Sequence, residues 1–72
     1  MSITKIREFR EAAGLSQAAL ARRLGVDRAV VHRWDHGRGA PAARMLGPLC
    51  DALELNAAQT RVLLKALSRA GA

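Results

Sequence analysis

A chain of 72 residues, half of them apolar and only Phe9 and Trp34 aromatic, holds one small domain whose core must come from Leu, Val, Ile and Ala. Its single cysteine excludes an internal disulfide, no run approaches the ~20 apolar residues of a membrane span, and the N-terminus lacks an apolar signal core, so a cytoplasmic protein is expected. The formal charge is +6, and most of it lies between Arg22 and Arg44, where Arg22, Arg23, Arg28, Arg33, Arg38 and Arg44 outnumber Asp27 and Asp35; concentrated positive charge favours a polyanionic partner through counterion release, although a solvated basic face has the same composition.

Aliphatic residues at helical spacing, with prolines and most glycines between the periodic segments, predict an all-α fold of five helices. Ser2 or Thr4 caps the first helix, which carries Ile3, Ile6, Phe9 and Ala13 inward and stops at Gly14. Ser16 caps a second helix of little more than two turns, with Ala18 or Ala19, Leu20, Ala21 and Leu24 inward; Gly25 ends it and Val26 packs inward. Asp27 is expected to cap the third helix, about 28–36, through its carboxylate. At about 100° per residue, Val30, Val31 and Trp34 share one side of that helix. Arg28, Ala29, His32, Arg33 and His36 share the other, uninterrupted by an acid and so free to approach phosphate.

After the loop 38–41, a fourth helix uses Met45, Leu46, Leu49, Cys50 and Leu53. Gly47-Pro48 falls inside this window. The expected solution places Pro48 in the helix's first turn, where proline is tolerated; the alternative is a kink at Gly47. Asn56 and Gln59 form a capping box for a fifth helix, about 57–69, with Val62, Leu63, Ala66, Leu67 and Ala70 as its inner stripe and Leu64 off it. That helix either closes the core or lends Leu64, with part of the Val62–Leu67 surface, to a two-fold dimer contact.

The stretch 16–37 meets the requirements of a helix-turn-helix. A small residue, Ala21, stands where two helices cross; Gly25 supplies a positive φ four residues on; and Leu20, Leu24, Val26, Val31 and Trp34 wedge the pair onto the domain. Competing chemistry has little support. His32 and His36 are four residues apart, but Cys50 belongs to the core side of the fourth helix and no fourth ligand is evident, so no metal and no cofactor is expected. Ser16 is explained by capping, no triad can be assembled, and the chain is not expected to be an enzyme. Trp34 shares its side with Val30 and Val31, which makes it core rather than a stacking platform.

The run Ile6-Arg7-Glu8-Phe9-Arg10-Glu11-Ala12-Ala13-Gly14-Leu15-Ser16-Gln17, with Leu20-Ala21-Arg22-Arg23-Leu24-Gly25-Val26, Arg33-Trp34-Asp35-His36-Gly37, Ala40-Pro41 and Leu49-Cys50-Asp51-Ala52-Leu53, resembles the phage repressor and Cro-like (xenobiotic-response-element) helix-turn-helix family over roughly residues 3–56. The resemblance implies a lambda-repressor-like domain across 1–72 that binds double-stranded DNA in the major groove as a homodimer and regulates transcription, most often as a repressor. It places Arg28, Ala29 and Arg33 at base-reading positions with His32 beside them. Gln17, Arg38 and Arg44 fall at phosphate-binding positions, with Gln17 also bracing the third helix, and His36 neighbours a phosphate. Arg10 and Asp35 match a partly buried salt bridge that sets the angle of the third helix. The chain departs from the family at Asp27, often Ser or Thr there; at Ala29, often polar; at Gly47-Pro48; and at Glu54, where glycine often ends the fourth helix. The rival reading is a protein–protein module, an antitoxin or antirepressor partner, that uses the fifth helix.

Overall fold

Local capping chemistry sets most of the helix boundaries. The computed structural model describes residues 4–70; Ser2, Ile3 and the side chain of Ala70, named above, lie outside the described residues. Thr4 Oγ1 accepts the Arg7 N–H at 3.2 Å and starts α1 (Lys5–Ala12). Ser16 Oγ accepts the Ala19 N–H at 3.0 Å and starts α2 (Gln17–Leu24). Asn56 and Gln59 hold each other's backbone N–H reciprocally, at 2.8 and 3.0 Å, at the start of α5 (Ala57–Ala70). Each such cap contributes roughly 1 kcal/mol by satisfying amides that the helix itself leaves orphaned.

At α3 (Arg28–Asp35) the expectation fails in one respect. Asp27 has the extended backbone of an N-cap, but its side chain makes no capping hydrogen bond. The carboxylate stays in solvent beside the N-terminal turn, where the helix dipole alone favours it.

A short 3-10 turn, Ala43–Met45, leads into α4 (Leu46–Ala52). Pro48 is the third residue of α4, inside its first turn, so no intrahelical hydrogen bond is lost.

Two helix ends illustrate the same geometry reached by different residues. After α2, Gly25 sits at φ +70°, and the Val26 N–H reaches back to Ala21 O at 3.0 Å. After α4, Glu54 does this at φ +54°, with the Leu55 N–H on Cys50 O at 3.1 Å. Glycine enters the left-handed region freely; glutamate does so against a Cβ clash of order 1 kcal/mol.

Every helix contributes to one core of Ile6, Leu20, Ala21, Val31, Trp34, Leu49, Leu53 and Leu63. A fully buried aliphatic side chain contributes roughly 1.5–3 kcal/mol. Phe9, Leu24, Val26, Val30, Met45, Cys50 and Leu67 pack on it half-buried. Two residues assigned inward leave the core. Ala13 is exposed because α1 ends before it. Val62 is 45 % exposed because Leu63 takes the inward position. Val62 and Leu64 (37 % exposed) therefore stand about 100° to either side of Leu63, on opposite flanks of α5.

Two side chains tie helices together through backbone carbonyls. Arg23 Nη1 donates to Ala52 O at 2.9 Å, joining α2 to the end of α4. Thr4 Oγ1 also donates to Asp35 O at 3.3 Å, joining the start of α1 to the end of α3. Among the described residues there is no strand, and no helix is long and apolar enough to cross a membrane.

Candidate nucleic-acid interface

Helix α3 has two sides because its sequence has two. Val31 and Trp34 are buried and Val30 is half-buried. Arg28, Ala29, His32, Arg33 and His36 are all exposed. α3 packs chiefly against α2 and secondly against α1.

Between the two sides lies a third stripe. Arg28, His32 and Asp35 are spaced i, i+4, i+7, so they line up along the flank of α3. Gln17, the first residue of α2, meets all three. Its Nε2 donates to Asp35 Oδ2 at 2.9 Å and lies 3.5 Å from His32 Nδ1, while its Oε1 accepts from Arg28 Nη1 at 3.1 Å.

Asp35 itself is buried. Its Oδ2 accepts from Arg10 Nη2 at 2.7 Å and from Arg10 Nε at 3.1 Å. The two side chains are 10 % and 1 % exposed. Arg10 Nη1 donates to Leu15 O at 2.7 Å, so the guanidinium also holds the α1–α2 turn. Among the described residues no buried side-chain nitrogen or oxygen is left without a partner. A fully satisfied buried ion pair is a rigid joint between α1 and α3. Removing one partner strands the other charge at a cost of about 3–5 kcal/mol, more than the intact pair contributes over an apolar substitute.

The other residues singled out in the sequence fall around this helix. His36 is the C-cap of α3, its ring centroid 4.3 Å from that of His32. Arg38 is exposed just beyond, and its N–H closes the turn on Arg33 O at 2.8 Å. Arg44 is exposed on the 3-10 turn before α4. Arg33, Arg38 and Arg44 make no ion pair among the described residues. Their charge is not neutralised locally. Cys50 is half-buried on α4, and no three metal-ligating side chains stand together among the described residues.

Three contacts follow from no residue pattern: Arg10 on the Leu15 carbonyl, Thr4 on the Asp35 carbonyl and Arg23 on the Ala52 carbonyl. Backbone carbonyls carry no residue-type signal, so no spacing rule finds them. The resemblance implies that Gln17 braces α3; which residues it meets, Arg28, His32 and Asp35, depends on how closely α2 and α3 cross.

No curated protein and no solved structure matches the chain. A family model described as a helix-turn-helix domain matches residues 4–63, which takes in α1 to α4, the α2–turn–α3 unit and the first half of α5. On that match the chain belongs to the helix-turn-helix domain family, a family of DNA-binding domains.

Proposed function

We propose that this chain is a sequence-specific transcriptional regulator of the Cro/C1 type, a cytoplasmic repressor without enzymatic activity that lays α3 in the major groove of double-stranded DNA. The observation that carries the reading is the acid-free outer side of α3, with Arg28, Ala29, His32, Arg33 and His36 exposed on a helix clamped by the Arg10–Asp35 pair. Arg28 and Arg33 read base edges, with His32 and Ala29 between them; Arg38, Arg44 and His36 hold phosphates and set the register. Gln17 braces α3 and lies beside the phosphate path. One recognition helix covers only a few base pairs, so the active species on DNA is a homodimer with half-sites about one turn apart.

The test is titration of the full chain with random duplex at ~50 mM salt, where phosphate contacts are strongest. Measurable binding that weakens steeply with added salt is expected, and no binding to any duplex would remove the proposal. A second reading rests on α5, where Val62 and Leu64 remain exposed: a protein–protein module acting as an antitoxin or antirepressor partner. These residues flank the solvent side of α5, with Leu64 the centre of the expected two-fold contact. Sedimentation of the free chain and of its Leu64→Glu variant distinguishes a dimer through that flank from a monomer that pairs only on DNA.

A further inference from the structure

The flank of α3 determines more than the angle of the helix. The amide orientation of Gln17 is over-determined. The atom 2.9 Å from the Asp35 carboxylate must be the nitrogen, and the atom 3.1 Å from the Arg28 guanidinium must be the oxygen. Asp35 is in turn immobilised by Arg10. The Gln17 NH2 group therefore points a second N–H towards His32 Nδ1, 3.5 Å away. A ring nitrogen facing an N–H donor has to be the acceptor, so the neutral His32 ring carries its proton on Nε2. That nitrogen is on the far side of an exposed ring.

We infer that the Arg10–Asp35–Gln17 relay fixes His32 as an Nε2 hydrogen-bond donor, making Arg28, His32 and Arg33 a donor-only reading surface that selects half-sites rich in guanine. This rests on the reading of α3 as the DNA-binding helix. Arginine offers only donors. Gln17 Oε1 accepts from Arg28, and His36, whose ring centroid lies 4.3 Å from that of His32, stands at the C-cap of α3, beyond the three reading positions. Arg28 uses one of its five N–H groups there and keeps enough for a bidentate contact. Asp27 lies about 100° round the helix from Arg28, on the side away from His32. In the major groove guanine shows two acceptors, N7 and O6. Adenine and cytosine each show an amino donor, which a donor-only surface cannot satisfy. Thymine offers one acceptor and a methyl group that suits Ala29.

Two measurements test this, and the first needs no DNA. Nitrogen-15 NMR of the histidine rings should show His32 protonated at Nε2 and bare at Nδ1, with the preference lost in Gln17→Ala. The opposite tautomer in the wild-type chain would overturn the inference. The second is selection of bound duplexes from a randomised pool with the full chain. Guanine should be enriched at two or three neighbouring positions of each half-site, and 7-deazaguanine at any one of them, which deletes N7, should weaken binding roughly tenfold. His32→Gln supplies an acceptor beside a donor and should move the preference at one position from guanine to adenine. Selected sites that present adenine or cytosine amino groups to α3, or affinity unchanged by 7-deazaguanine, would overturn it while leaving DNA binding intact. Failure to retain any duplex would overturn the DNA-binding reading, and the donor-only proposal with it.

Discussion

The outer faces of α1 and α3 carry the same kind of charge and meet opposite fates. On α1, Lys5 pairs with Glu8 at 3.2 Å and Arg7 with Glu11 at 3.2 Å, each acid placed three or four residues after its base. On α3 the acid that follows Arg28 and Arg33, Asp35, is turned inward to Arg10. Charge counted along a chain is therefore not charge available at a surface. An acid at i+3 or i+4 neutralises its neighbour. Arg28 and Arg33 have no acid three or four residues away, and the one acid further along the helix, Asp35, is held in a buried pair with another helix. The outer side of α3 stays unneutralised because of its spacing, and Asp35 orients the helix without adding negative charge to that side.

Loss of the Asp35 carboxylate has the largest expected effect. Asp35→Ala should destabilise the fold by about 3–5 kcal/mol, read by urea or thermal unfolding, because Arg10 loses its buried counter-charge and keeps only the Leu15 carbonyl and the exposed Glu11 at 3.9 Å. The double change Arg10→Met with Asp35→Leu should recover most of the loss. If the two effects simply added, the pair would not be a joint. Next in size is Arg28→Ala. It should weaken binding to a selected site by about 1–3 kcal/mol and relax preference at one base pair, with much less effect on random duplex. Equal losses on both would reduce Arg28 to a phosphate contact.

Glu54→Gly addresses the end of α4. Relief of the positive φ should raise stability by about 1 kcal/mol, roughly 4–8 °C in Tm for a domain of this size, with DNA affinity unchanged. The smallest effect is expected on α1. Glu11→Gln breaks the exposed pair with Arg7 and should cost under about 0.5 kcal/mol of stability.

The division of α3 into two sides was legible because a helix imposes a period and its apolar residues keep to it. The caps at Ser16 and Asn56 and the placement of Pro48 were legible for a similar reason, since each concerns residues within one turn of each other. Asp27 shows where this stops. Residue type says that a carboxylate can cap, but the rotamer it takes is set by solvent and neighbours, and here it does not. Val62 misled because two adjacent apolar residues, Val62 and Leu63, compete for one inward direction and packing against the other helices chooses between them. Arg10 and Asp35 are 25 residues apart and on no common period, so only the resemblance to a known family suggested the pairing. The further step, from Asp35 through Gln17 to the ring of His32, is carried by distances alone.

On the proposed reading, α3 and not α1 is the basic face that meets DNA. The direct measurement is the slope of log K against log salt for random duplex, compared between wild type, Arg38→Ala and Arg7→Ala. A slope shallower by about one is expected for Arg38→Ala, and an unchanged slope for Arg7→Ala. A slope flattened by Arg7→Ala and unmoved by Arg38→Ala would contradict it.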